Sequence, residues 1–138
     1  MSEFMTFSLQ ATRIDDSGSL VTSKQTQLVI DTSQSSRPDA LNPVELLLAS
    51  LSACIIKGID RVAPTLGLSY ESVRVELTAH RPVDQARIED ISYLVTLATE
   101  ADQAKLDLLH KNIMKFGTIY NTVKTGTKLA GQVVSAGY

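Results

Sequence analysis

The sequence predicts an α+β domain in which antiparallel β-sheet packs on two helices. Short stretches alternate apolar and polar residues, which is the period of a half-buried β-strand. Two longer stretches carry apolar residues at helical spacing, and a clear start signal precedes the first of them. The resulting order, ββ-α-ββ-α-β, places strands in runs between helices, which is typical of the α+β class.

The N-terminal part of the chain predicts two strand regions and a loop. Apolar and polar residues alternate over residues 5–14, and a turn follows at residues 15–18. A second strand region, with weaker alternation, covers residues 19–31. Residues 32–41 are polar and predict a loop before the first helix.

The first helix has the clearest start signal in the chain. Asn42 is a favourable N-cap, Pro43 suits the first helical position, and Glu45 stands three residues after the cap, as in a capping box. Pro64 is expected to end or kink this helix near Val62. Because apolar residues cover nearly all of its faces, we expect the helix to be central and buried. These residues are Leu46, Leu47, Leu48, Leu51, Ile55 and Ile56.

The second half of the chain predicts two more strands, a helix and a final strand. Apolar and polar residues alternate over residues 73–80 and again over residues 91–97. The second helix is predicted over residues 101–115, with a short helical turn near Tyr120. Residues 128–135 predict the last strand.

Composition and charge exclude several classes of protein. The 138 residues contain no repeat or linker, so residues 1–138 are expected to form a single domain. The 13 basic and 15 acidic residues argue against a nucleic-acid binder that works by charge alone. Lys57, Asp60 and Arg61 interrupt the apolar helix, which is too short to span a membrane. Because one cysteine forms no internal disulfide and no signal peptide is visible, we expect a cytoplasmic protein.

Cys54 is the only cysteine, and it lies in the most apolar segment. A free cysteine on an apolar helix is ordinarily a small core residue, whereas a reactive one needs a cation or donor that stabilises its thiolate. At about 100° per residue, Lys57 and Ser50 lie about 60° and 40° from Cys54, while Glu45 lies about 180° away. Glu45 is therefore expected to cap the helix. Lys57 either supports the thiolate, extends to solvent, or pairs with a charged neighbour at helical spacing such as Asp60.

The two histidines do not predict a metal site. His80 falls on the polar face of a strand, where exposure is expected, and His110 is expected to lie at a surface or interface. Neither histidine has a metal-ligand spacing with Cys54. The sequence also shows no phosphate-binding glycine loop, so we expect no metal and no cofactor.

The run from Asn42 to Cys54 reads Asn-Pro-x-Glu-Leu-Leu-Leu-Ala-x-x-x-Ala-Cys. It resembles the first cysteine motif of the OsmC/Ohr family, bacterial stress-response proteins that reduce organic hydroperoxides. The order of elements, including residues 72–77 and 115–123, fits that family over almost the whole chain. The resemblance implies an OsmC-like fold in an intertwined homodimer, with two central helices in the core and active sites at the subunit interface.

The resemblance also implies a peroxidatic role for Cys54. Its thiolate attacks the peroxide O–O bond and becomes a sulfenic acid, which a second cysteine resolves as a disulfide and a dithiol then reduces. In the family an arginine and a glutamate hold the thiolate ionised. Arg13 on the first strand and Arg37 in the loop before the helix are the candidates for the arginine, and for each the alternative is a solvated surface residue.

The sequence departs from the family pattern at two positions. Gly117 stands where the family carries its second cysteine, so the chain has no resolving thiol. Val44 stands where the peroxidase branch carries its glutamate, a position about 80° from Cys54 around the helix. In this chain the glutamate comes one residue later, at Glu45. The motif is therefore more like the less characterised OsmC-like branch.

The sequence leaves three functions open. The first is a thiol peroxidase in which an organic hydroperoxide oxidises Cys54 and an external thiol resolves it. The second is a non-catalytic protein that binds a small hydrophobic molecule at the dimer interface, in an apolar pocket that Phe116 and Tyr120 could line. Tyr93 could line it too, although core packing is favoured for Tyr93. The third is a structural or interaction protein without a ligand.

Overall fold

Three helices and two small antiparallel sheets make up the computed structural model, which describes residues 2–127 and 129–132. The α+β class is thereby confirmed. The chain divides into two compact units, residues 1–49 and 50–138. In chain order the elements are β1 (Gln10–Arg13), β2 (Gly18–Ser23), β3 (Thr26–Asp31), α1 (Pro43–Val62), a 3-10 turn (Ala63–Leu66), β4 (Val73–His80), β5 (Asp90–Leu97), α2 (Gln103–Phe116) and α3 (Thr118–Thr125).

The first sheet lies within residues 1–49 and has the order β1-β2-β3, with both pairs antiparallel. The region predicted as one strand over residues 19–31 is a hairpin, because Lys24 and Gln25 turn the chain between β2 and β3. Lys24 takes the positive φ of 55° that this turn requires. The local pattern carries no hairpin signal there, since glycine and asparagine are the usual marks of such turns.

The sequence predicts a strand over residues 5–14. The prediction is confirmed only for β1, Gln10–Arg13, and is wrong for residues 5–9. In the sheet register Gln10 already faces Thr22, and β2 ends one residue later at Ser23. Residues 5–9 therefore extend past the end of the hairpin. Their apolar side chains are among the most exposed in the described chain, as the value of 79% for Phe7 shows.

The predicted loop between β3 and α1 is held by a buried carboxylate. Asp31 is buried, and its Oδ1 accepts a hydrogen bond from the Ser33 backbone N–H at 2.9 Å, while its Oδ2 accepts one from the Arg37 N–H at 3.2 Å. The hydrogen bonds from Ser33 lower the pKa of Asp31. The loop is closed by the Asp31 N–H, which donates to the Leu41 carbonyl at 2.9 Å.

The start and end of α1 confirm the sequence signals. The Glu45 N–H donates to Asn42 Oδ1 and the Asn42 N–H donates to Glu45 Oε1, each at 2.9 Å, which is a reciprocal capping box. The helix ends at Val62, two residues before Pro64. The role predicted for Glu45, to cap the helix, is confirmed by these bonds.

The core of residues 50–138 is a stripe on α1 that packs with α2 and the inner faces of β4 and β5. A Cβ placed on Gly58 would lie 3.5 Å from Ile113 Cγ1, an ordinary van der Waals distance, so α1 and α2 are packed together at this position. Within one chain the expected burial of α1 is confirmed for this stripe, whereas Leu46, Leu47, Leu48 and Ile56 are half-buried. The buried α1 residues are Leu51, Ile55, Gly58, Ile59 and Val62.

The C-terminal part differs from its prediction. The helical turn predicted near Tyr120 is the helix α3. Residues 129–132 lie in no helix or strand, so the final strand is wrong for them, and Lys128 and residues 133–135 lie outside the described residues. Over the part of the chain that the structure describes, no helix has both the length and the apolar character needed to cross a membrane.

Candidate functional site

Cys54 lies in the second half of α1, beside the buried stripe rather than in it. The side chain of the next residue, Ile55, is fully buried, whereas Cys54 itself is half-buried. The sulfur faces the junction of α2 and α3, since a Cβ placed on Gly117 would lie 3.2 Å from Cys54 Sγ. Cys54 is therefore a partly accessible thiol at a helix junction.

Gly117 joins α2 to α3 in a tight turn. Its N–H donates to the Ile113 carbonyl at 3.0 Å, and its own carbonyl accepts from the Asn121 N–H at 2.9 Å. Its φ of −75° and ψ of 114° are open to any residue, so the glycine is not needed for its conformation. It is needed for space, because a Cβ would lie 2.9 Å from the Ile113 carbonyl oxygen and 3.2 Å from Tyr120 Cβ.

The three predicted cations lie in different places. Arg13 is exposed on β1, opposite Ser19. Arg37 lies in the same unit as Arg13, and Lys57 lies on α1 one helical turn after Cys54. Lys57 is therefore the predicted cation that shares a helix and a unit with the thiol.

Arg37 has a defined role in its own loop. Its Nε and Nη2 donate to the two Asp39 carboxylate oxygens at 2.7 and 2.8 Å, and Nη1 donates to the Ser17 carbonyl at 3.3 Å. The hydrogen bond from Arg37 lowers the pKa of Asp39. The bidentate pair orders the loop before α1, and the Nη1 hydrogen bond connects that loop to the turn between β1 and β2.

Tyr93, His110 and Tyr120 form a polar aromatic cluster. His110 is exposed, as predicted, but its contact with Tyr93 is not expected from the sequence. The Tyr93 hydroxyl lies 2.5 Å from His110 Nε2, and the two rings meet edge-on with centroids 5.6 Å apart. The ring centroids of Tyr120 and Tyr93 lie 6.4 Å apart, and the Cβ of Tyr120 lies beside Gly117. Burial is the main cause that raises the pKa of Tyr93, and the nearby Tyr120 raises it further. The Tyr93 phenol is therefore neutral near pH 7.

One sequence signal could have found this cluster. His110 shares the helical spacing of Leu106 and Ile113, which are core-facing residues of α2. Tyr93 also packs against the core, as predicted. Phe116 is 52% exposed, with Lys115 Nζ 5.2 Å above its ring.

His80 is exposed on β4 as predicted, and it pairs with Asp90 across the strands at 2.7 Å. This hydrogen bond to the carboxylate raises the pKa of His80. In the described ranges, no group of three or more histidine, cysteine or acidic side chains is placed to hold a metal ion.

Comparison with known proteins identifies the fold. Residues 33–130 match the model of the OsmC-like protein family. The crystal structure of an OsmC-like protein from Mycoplasma pneumoniae aligns with a TM-score of 0.81 at 17% sequence identity, over 88% of this chain and 89% of that chain. The sequence has no match among curated proteins.

Two solved hydroperoxide resistance proteins share the fold. The organic hydroperoxide resistance protein OsmC of Legionella pneumophila aligns with a TM-score of 0.63 at 18% identity, over 90% of this chain and 93% of that chain. OhrB of Bacillus subtilis, an organic hydroperoxide resistance protein, aligns with a TM-score of 0.60 at 16% identity, over 88% of this chain and 93% of that chain. At these identities the likeness establishes the OsmC-like fold.

Proposed function

Because the chain belongs to the OsmC-like protein family, we propose that it reduces organic hydroperoxides and that Cys54 is the residue oxidised. The observation that carries this proposal is the position of Gly117 against the Cys54 sulfur, at 3.2 Å from a Cβ to Sγ. Gly117 stands where the family resemblance places the resolving cysteine. The chain thus keeps the arrangement of a reacting thiol and its partner position, with the partner thiol absent.

The proposed reaction uses one protein thiol and an external one. The Cys54 thiolate attacks one peroxide oxygen, the O–O bond breaks, and the sulfur is oxidised to a sulfenic acid while the alkoxide takes a proton and leaves as the alcohol. A low-molecular-weight thiol then condenses with the sulfenic acid, releasing water and forming a mixed disulfide. A second thiol reduces that disulfide and restores Cys54.

Lys57 is the cation that we propose to support the thiolate. Residues three apart on a helix are neighbours, so the Lys57 ammonium can approach the sulfur from the following turn of α1. Arg13 and Arg37 remain proposals for the family arginine. Arg37 can take part only when its bidentate bond to Asp39 is broken or shared.

A turnover assay tests the proposed function. With cumene hydroperoxide and excess 2-mercaptoethanol, the wild type should consume peroxide above the buffer rate, and Cys54→Ser should fall to the buffer rate. Lys57→Met should slow the reaction by about two- to fivefold, the effect of one partly screened charge. Lys111→Met, which removes an exposed lysine from α2, is the matched control. Wild-type turnover no faster than Cys54→Ser would refute the proposal.

We also propose that the protein is a homodimer. Residues 4–9 place large apolar side chains in water, with Phe4 89%, Met5 83% and Phe7 79% exposed, and leucines of α1 are only half-buried. Exposed apolar surface of this extent marks an interaction site, and a second copy of the chain would cover it. Light scattering should give twice the mass of one chain for the wild type.

A charged residue in this apolar segment is expected to weaken the dimer. Phe7→Glu should shift the mass toward that of one chain at low micromolar concentration, because a carboxylate is costly to bury without a partner. Val83→Glu is the control, since Val83 is 97% exposed in the turn between β4 and β5. A wild type with the mass of one chain at every concentration would contradict the proposal.

A further inference from the structure

The cavity between β5 and α2 is not used by the proposed chemistry of Cys54. It has a volume of about 360 Å³ and lies entirely within residues 50–138. Small-molecule sites typically measure roughly 300 to 1,000 Å³ and combine apolar walls with a few placed polar groups. This cavity has that composition. Its apolar walls include Val95, Leu97, Leu106 and Leu109.

The first polar group of the cavity is the pair formed by Tyr93 and His110. Their hydrogen bond of 2.5 Å works in either direction. With the proton on His110 Nδ1, the Tyr93 hydroxyl donates to Nε2. With a proton on Nε2, the imidazole donates to Tyr93, and the phenol hydrogen is then available to a ligand oxygen. The pair can therefore serve a ligand oxygen as donor or as acceptor.

The second polar group sets the charge of the ligand. Asp107 lines the cavity, and its Oδ1 accepts a hydrogen bond from Gln103 Nε2 at 2.9 Å. Among the described residues that line the cavity there is no lysine or arginine. A carboxylate ligand would thus meet a like charge with no fixed cation to offset it.

We propose that this cavity binds a neutral, apolar molecule that carries one hydroxyl or carbonyl oxygen, with that oxygen held by Tyr93 and His110. The apolar part of the molecule packs against the leucine and valine walls. The site lies within one chain, so it needs neither a dimer interface nor a reactive Cys54.

Calorimetric titration of the Cys54→Ser protein with 1-heptanol and with heptanoate tests the proposal without any peroxide chemistry. Heptanol should bind saturably with one site per chain, and heptanoate should bind at least about tenfold more weakly, since it adds a charge at the oxygen end. Equal binding of the two probes, or no saturable binding of heptanol, would overturn the proposal.

Two variants locate the bound oxygen. Tyr93→Phe keeps the ring and removes the hydroxyl, and it should weaken heptanol binding by about three- to tenfold, the effect of one lost hydrogen bond. His110→Gln should also weaken heptanol binding, and it tests the same position if Tyr93→Phe does not fold. Tyr70→Phe is the control, because Tyr70 bonds to Asp60 and does not line this cavity. Unchanged affinity in both Tyr93→Phe and His110→Gln would contradict the assigned position.

Discussion

Replacing Gly117 with cysteine is expected to convert the one-cysteine site into one that closes its own disulfide. A Cβ at position 117 lies 3.2 Å from Cys54 Sγ, and across a disulfide the Cβ of one cysteine lies about 3 Å from the sulfur of the other. After oxidation by cumene hydroperoxide, the Cys54 sulfenic acid should condense with the thiol introduced at position 117 and release water. The mixed disulfide with an external monothiol should then disappear.

Mass spectrometry of the intact chain and of its peptides measures this outcome. The oxidised variant should lose two hydrogens and link the Cys54 peptide to the peptide that contains position 117. Gly131→Cys is a matched control, since nothing lies within 4 Å of a Cβ at Gly131. A variant that still forms the mixed disulfide as readily as wild type would show that the two positions do not meet.

The same substitution has a steric cost that a second variant separates from the redox effect. Gly117→Ser adds a side chain of similar size without a thiol, and its Cβ would lie 2.9 Å from the Ile113 carbonyl oxygen. Overpacking of this kind costs about 1–3 kcal/mol. Oxidised Gly117→Cys should be more stable than Gly117→Ser, because a disulfide restricts the unfolded chain.

Ile59→Ala is expected to cause one of the largest losses of stability of any single truncation on α1. Ile59 is fully buried in the core of residues 50–138, so its truncation removes apolar contacts and leaves a cavity. The free energy of unfolding should fall by about 2–5 kcal/mol, and Ile59→Val should cost about 0.5–1.5 kcal/mol. Urea denaturation at one fixed protein concentration measures both, since dimerisation would make the midpoint depend on concentration.

Val83→Ala provides the control for this series. Val83 is 97% exposed, and substitutions at such positions change stability by no more than about 0.5 kcal/mol. A loss in Ile59→Ala no larger than in Val83→Ala would mean that the stripe on α1 is not the core of this unit.

The sequence predicts an element well when the signal is local. The capping box of Asn42 and Glu45 and the end of α1 before Pro64 each depend on residues a few positions apart, and each is confirmed. The length of β1 depends instead on where its partner strand ends. Since β2 turns back at Lys24 without a glycine or asparagine, neither the hairpin nor the short β1 follows from the local pattern.

The candidate site likewise has features that the local sequence predicts and contacts that it does not predict. Helix geometry alone separates Glu45 from Cys54, and the capping bonds confirm the role assigned to Glu45. The contact of Tyr93 with His110 joins β5 to α2 across 17 positions, so it depends on packing that a single sequence does not specify. The approach of Gly117 to Cys54 likewise joins two helices that are far apart in the chain.

The central claim is that Cys54 is a peroxide-reactive thiol without a partner cysteine. Its most direct test is to expose the native protein to cumene hydroperoxide in the presence of dimedone, which traps sulfenic acids, and to locate the adduct by peptide mass spectrometry. The proposed function predicts a dimedone adduct on Cys54 that forms faster in the native chain than in the urea-unfolded chain. A native Cys54 that iodoacetamide alkylates but excess hydroperoxide leaves as a free thiol would contradict it.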